Sequence, residues 1–159
     1  MRARMPLKSI HITNAWPHAA GGVRTFYSAL LEEANRVGRP LTVVAPAERS
    51  STEPVGRFGR IYFVAAPAAP AFDHRYRLLY PHTYLPAAGG ALHRILALER
   101  ADVVEICDKY TLPYLAALVR KGLLSGVPRP ALVGLTAERF DDNMAAYLSR
   151  SPAARRFTR

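Results

Sequence analysis

The sequence predicts an α/β protein with a doubly wound, mostly parallel β-sheet. Three observations predict this fold. Short apolar or β-branched runs alternate with amphipathic segments, and parallel neighbours need such crossover segments between them. Residues 41–45 (LTVVA) are continuously apolar between two prolines, as in a strand buried on both faces. Hydrophobic residues make up 50 % of the 159-residue chain, which is enough for one domain to bury a core.

The individual elements follow from periodicity and from breaker residues. Apolar residues at three-and-four spacing predict helices over residues 23–37, 91–100 and 112–121. Shorter runs predict strands over residues 8–13, 41–45, 60–64, 101–107 and 131–136. The polar residues 47–59 are expected to form a loop, and the proline-rich residues 65–90 a long excursion with one short helix around Tyr76.

The predicted domain spans residues 1–150. Residues 151–159 (SPAARRFTR) begin with a capping serine and a proline at the first helical position, then stop after barely two turns. They are expected to be the start of a truncated helix that leads to a missing C-terminal domain.

Charge and cysteine content narrow the classes of partner. The net charge of +10 suits phosphate-bearing partners, but the arginines are dispersed without the interleaved aromatics that stack bases, so nucleic acid is disfavoured.

Cys107 is the sole cysteine, and no stretch resembles a signal peptide or a spanning helix. The expected location is the cytoplasm, and a peripheral contact with the anionic inner face of a membrane stays open.

Ligands of open α/β sheets bind outside the carboxyl ends of the strands. Gly21 and Gly22 follow the first predicted strand and open the first predicted helix, where free backbone N–H groups and the helix dipole favour an anion. The same glycine pair could equally make a tight turn with no ligand.

Polar residues also follow two other predicted strands. Asp108 and Lys109 come after residues 101–107, and Glu138 and Arg139 come after residues 131–136. These four, with His18 in the first exit loop, are candidates to contact a ligand, and Asp108 with Lys109 could hold either a polyol hydroxyl or a phosphate. Solvated loop ends or helix caps are the alternative interpretation. His11 lies within a strand and is expected to be a satisfied core or edge histidine, and His74, His82 and His93 lack metal-site spacing.

Three segments together resemble the N-terminal domain of family-4 glycosyltransferases of the two-Rossmann-domain (GT-B) type. They are IHITNAWPHAAGGVRTFYSALLEEANRVGRPLTVVAPAE, ADVVEICDKYTLPYLAALVRKG and PALVGLTAERFDDNMAAYL. The resemblance implies a Rossmann-like fold that forms the acceptor-side half of a retaining enzyme of carbohydrate biosynthesis. Such an enzyme transfers a sugar from a nucleotide-diphosphate donor to an acceptor hydroxyl.

The resemblance also implies roles for particular residues. Gly21 and Gly22 would contact the donor diphosphate, and Asp108, Glu138 and Arg139 would lie on the acceptor side. Ala137 stands where the family commonly has a histidine, and no catalytic residue is assigned. Neither a metal nor another cofactor is expected, and the donor-sugar residues of the family belong to the absent domain. The isolated chain is therefore expected to be nearly inactive.

Two other classes of function stay open. One is a stand-alone phosphate- or nucleotide-binding module of Rossmann-like fold, which would need no second domain. The other is a basic protein that interacts peripherally with membranes, and its binding to anionic vesicles would be sensitive to salt.

Overall fold

A computed structural model describes residues 6–16, 22–69 and 76–136. The described strands are β1 (Ser9–Thr13), β2 (Leu41–Ala47), β3 (Ser51–Val55), β4 (Gly59–Ala65), β5 (Val103–Cys107) and β6 (Ala131–Gly134). The described helices are α1 (Gly22–Val37), α2 (Pro81–Tyr84), α3 (Ala91–Glu99) and α4 (Leu112–Lys121), and a short 3-10 turn spans Pro86–Ala88.

The six strands form one sheet in the order β3-β4-β2-β1-β5-β6. Every neighbouring pair is parallel except β3 and β4, which are antiparallel. The connections through α1 and α4 are the crossovers that parallel strands require. The predicted α/β class and mostly parallel, Rossmann-like sheet are therefore confirmed.

Helices cover the sheet on both sides. On the side named here the α3 face, Ile10, Val44 and Val104 pack with leucines of α3 and α4. On the opposite side, the α1 face, Val43 and Ile61 pack with Tyr27 and Leu31 of α1. Because successive side chains of a strand point to opposite faces, one short strand such as β2 contributes to both cores. This two-sided burial explains the continuous apolar run that predicted β2.

The prediction of a loop over residues 47–59 is wrong, because β3 lies within it. Its sequence, STEPV, carries an acidic residue and a proline and is almost entirely exposed. Pro54 is tolerated because β3 is an edge strand and pairs only with β4. A polar edge strand has no buried face to impose alternation, so no hydrophobic pattern marks it.

The β3–β4 hairpin is held to α1 by Asn35. The Asn35 side-chain amide donates a hydrogen bond to the Val55 carbonyl oxygen at 2.7 Å, and its Oδ1 accepts one from the Phe58 N–H at 2.9 Å. Gly56, in the turn between them, has φ of 64°, which glycine adopts without strain. The hairpin is therefore stabilised by contacts with a residue 20 and 23 positions earlier in the chain, beyond the reach of local sequence patterns.

The short helix predicted around Tyr76 lies elsewhere. Residues 76–80 are not helical, and Arg77 instead forms an isolated antiparallel bridge with Ala68. Among the described residues of this region, the α-helix is α2, which begins at Pro81, where a proline needs no intrahelical N–H partner. The three longer predicted helices are confirmed to within one residue at each end.

Candidate functional site

The candidate site is the crevice outside the carboxyl ends of β1 and β5. From β1 the chain passes through α1 to β2 on one side, whereas from β5 it passes through α4 to β6 on the other side. The strand order therefore reverses between β1 and β5, and at such a switch point the following segments diverge and leave a crevice open to ligands. Gly22, Asp108 and Lys109 all follow these two strands.

Among the described residues, nothing packs against Gly22 at the N-terminus of α1. Gly22 is exposed, and a Cβ built on it would meet nothing within 4 Å. Packing within the described residues thus does not require glycine at this position. The first turn of α1 contains no acidic side chain that would oppose an anion. The helix end therefore presents donors and a positive dipole to the crevice.

Asp108 anchors the start of α4. Its Oδ2 accepts hydrogen bonds from the backbone N–H groups of Thr111 at 2.7 Å, Leu112 at 2.8 Å and Tyr110 at 3.0 Å. Thr111 is the N-cap residue and Leu112 the first residue of α4, so their N–H groups have no intrahelical partner. This carboxylate thus stabilises the start of α4 beside the crevice.

Lys109 adds a positive charge next to that cap. Its Nζ atom is shielded from solvent and lies 5.6 Å from the centre of the Tyr110 ring, within the range of a cation–π contact. A buried ammonium interacts with a nearby anion more strongly than an exposed one, because less solvent screens it.

Asn14, which was not among the residues predicted from the sequence, links the end of β1 to the segments that precede α2 and α4. Its side-chain amide donates to Thr111 Oγ1 at 3.0 Å, and its Oδ1 accepts from the Leu79 N–H at 2.9 Å. Tyr84 donates from its hydroxyl to the Thr111 carbonyl oxygen at 3.1 Å. A polar residue directly after a buried strand was the only available signal, and its partners lie more than sixty residues away.

A buried polar cluster lies below the crevice on the α1 face. His11 is 8 % exposed, and its two ring nitrogens lie 3.0 Å from Glu105 Oε1 and from Ser9 Oγ. Tyr27 donates from its hydroxyl to the same carboxylate oxygen at 2.9 Å. The interpretation of His11 as a satisfied core histidine is confirmed.

Burial and hydrogen bonding act in opposite directions on the pKa values of this cluster. Burial alone would raise the pKa of Glu105, but the hydrogen bonds from His11 and Tyr27 outweigh it and hold that pKa below its ordinary value. Burial raises the pKa of the Tyr27 hydroxyl far above its ordinary value and also raises that of the Cys107 thiol. The ionised Glu105 thus accepts a hydrogen bond from the Tyr27 hydroxyl, which keeps its proton.

The other predicted site residues lie outside the described residues. They are Gly21, His18, Glu138 and Arg139. Ala137 and the predicted truncated helix over residues 151–159 also lie outside the described residues. Within the described ranges, no group of three or more histidine, cysteine or acidic side chains could hold a metal ion. The described helices also include none that is both long and apolar enough to cross a membrane.

Comparison with protein-family models, curated proteins and solved structures finds no match for this chain. The fold and the crevice are therefore interpreted from their own geometry and from the motifs in the sequence.

Proposed function

We propose that this chain is the N-terminal, acceptor-side part of a glycosyltransferase. The enzyme moves a sugar from a nucleotide-diphosphate donor to an acceptor hydroxyl, with retention of configuration. The observation that supports this most is that Gly22, at the start of α1, is exposed within the described residues and lies where the strand order reverses. The motif resemblance supplies the reaction class.

In the proposed reaction the bond between the anomeric carbon and the donor diphosphate breaks, and its electron pair stays on the diphosphate. The acceptor oxygen bonds to the anomeric carbon, and the hydroxyl proton passes to the leaving diphosphate. Negative charge develops on the leaving diphosphate. The free N–H groups at Gly22 and the positive end of the α1 dipole would stabilise that charge, and the Lys109 ammonium would add to it. This chain supplies one wall of the cleft, and a second domain supplies most of the donor contacts.

The acceptor would lie on the same edge of the sheet. Asp108 is held by α4, so its position relative to β5 is fixed before a substrate arrives. His18, Glu138 and Arg139 remain the other proposed acceptor-side residues. Their contributions are best measured in the full enzyme, where transfer and not binding alone is observed.

Titration of the isolated chain with uridine diphosphate tests the donor half of this proposal. Because most donor contacts are assigned to another domain, we expect a Kd weaker than about 0.1 mM. Gly22→Asp places a carboxylate at the anion site and should weaken binding about tenfold. Ala29→Asp, at an exposed position seven residues further along α1, is the matched control. It adds the same charge away from the helix N-terminus and should leave binding nearly unchanged.

The alternatives give different results in the same titration. Micromolar binding by the isolated chain would favour the stand-alone nucleotide-binding module. Equal binding by the wild type and Gly22→Asp would overturn the assignment of the α1 N-terminus as the diphosphate site. Salt-sensitive binding to anionic vesicles, with no response to uridine diphosphate, would favour the peripheral membrane protein.

A further inference from the structure

A second concave site lies on the α3 face, between α3 and the β3–β4 hairpin. Its volume is 280 Å³, close to the lower end of the range for small-molecule pockets. The groove is lined by Ser50, Ser51, Thr52, Tyr62, Phe63, Val64, Ala91, Arg94, Ile95 and Leu98. None of these residues belongs to the crevice between β1 and β5.

The strand side of the groove offers hydroxyl groups. Thr52 pairs with Tyr62 across the antiparallel ladder, so both side chains point to the α3 face. Ser50 Oγ accepts a hydrogen bond from the Ala65 N–H at 2.9 Å, which leaves its own hydrogen to be donated. The Tyr62 hydroxyl donates a hydrogen bond to Glu99 at 2.7 Å, so its hydrogen is not available to a ligand. The Tyr62 ring instead provides apolar surface in the groove.

The helix side of the groove is apolar with one charged residue. Ala91, Ile95 and Leu98 lie at helical spacing along one flank of α3, and Leu98 is 70 % exposed. Arg94 lies between them in sequence, three residues after Ala91 and four before Leu98, and lines the same groove. Among the described residues Arg94 has no ion pair, and no acidic residue lines the groove.

We propose that this groove binds a phosphate monoester that carries a short apolar chain. A guanidinium donates two parallel hydrogen bonds to a phosphate, and the Ser50 and Thr52 hydroxyls supply donors for its third oxygen. The apolar chain lies against Ile95 and Leu98, whose exposure to water it reduces. The positive charge of the chain, +10, favours an anion over a neutral amphiphile of the same size.

This inference does not depend on the proposed sugar transfer, because it uses different residues on a different part of the sheet. It is tested by titrating the isotopically labelled 159-residue chain with monohexyl phosphate and following backbone amide signals. At an ionic strength of about 0.15 M, charge interactions are largely screened beyond about 8 Å, which suppresses attraction by distant arginines. Inorganic phosphate, hexanoate and hexanol are titrated in parallel.

We expect saturable binding of monohexyl phosphate, with shifts in α3, β3 and β4. It should bind at least about tenfold more tightly than inorganic phosphate or hexanol, because each of these lacks one half of the recognised chemistry. Arg94→Gln should weaken binding about tenfold, and Leu98→Gln should weaken it severalfold. Arg120→Gln and Leu123→Gln are the matched controls, exposed residues outside the groove, and should bind like the wild type.

Three results would overturn the proposal. Equal affinity for hexanoate would show that the site does not select phosphate. Equal affinity for inorganic phosphate would show that the apolar wall takes no part. An equal effect of Arg94→Gln and Arg120→Gln would show that the anion is attracted only by the general charge of the chain.

Discussion

His11 Nδ1 and Glu105 Oε1 lie 3.0 Å apart, joining the side chains of two residues that are direct partners across β1 and β5. The two strands flank the crevice, so this contact stabilises the part of the sheet on which the candidate site depends. Tyr27 extends the contact to α1, whose N-terminus is the proposed anion site.

The first prediction concerns the pH dependence of this contact. The pKa of Glu105 is lowered in the folded chain, so the unfolded chain binds its proton more tightly. The contribution is fully present above the ordinary carboxyl pKa of about 4.3 and is lost as the pH falls through the lower, folded value. Urea unfolding should therefore show that the wild type loses more stability between about pH 5 and pH 3 than Glu105→Gln does.

At neutral pH, Glu105→Gln should lower the free energy of unfolding by about 1–3 kcal/mol, because two buried donors lose a charged acceptor. Glu32→Gln, on the exposed side of α1, serves as the control. Parallel pH profiles for the wild type and Glu105→Gln would contradict the prediction.

The second prediction concerns the Asp108 cap. Asp108→Ala removes the acceptor of three backbone N–H groups and should destabilise the chain by about 1–2 kcal/mol. Asp108→Asn keeps a side-chain oxygen and should recover part of that loss. Thermal unfolding measures both variants, and Glu48→Ala, at an exposed position outside the helices, is the control. An unchanged melting temperature for Asp108→Ala would show that the cap does not contribute.

The third prediction concerns the contact between Asn35 and the β3–β4 hairpin. Asn35→Ala leaves the Val55 carbonyl and the Phe58 N–H without their side-chain partner and should cost about 1–3 kcal/mol. Amide hydrogen exchange should accelerate in β3 more than in β1 or β5, because β3 pairs with one strand only. Asn35→Asp can still accept from Phe58 but cannot donate to Val55. Protection of β3 that is equal in all three proteins would refute this role.

Local sequence patterns predicted much of the fold, for a physical reason that differs between elements. Residues 112–121 carry apolar side chains at helical spacing and end at Gly122, whose φ of 68° suits a helix terminus. β2 is buried on both faces, so its composition alone marks it. β3 has no such signature, since its residues face solvent and its position is set by pairing with β4.

The candidate site was predictable only in outline. Polar residues after β1 and β5 predicted a site at the carboxyl edge of the sheet, because carboxyl ends of parallel strands meet at one edge. The residue types could not show that Asp108 caps α4, nor that Asn14 bridges β1 to Thr111. Such hydrogen bonds depend on where each side chain points, which periodicity does not encode.

By itself the sequence determined the alternation of strands and helices, the burial of β2 and the location of a glycine at the start of α1. Those features follow from solvent exclusion and backbone conformation, which act over a few neighbouring residues. Only the tertiary structure decided the strand order, the edge strand β3, the His11–Glu105 contact and the groove beside α3. Each of these joins residues distant in the chain, and only the packing of the whole sheet brings them within contact distance.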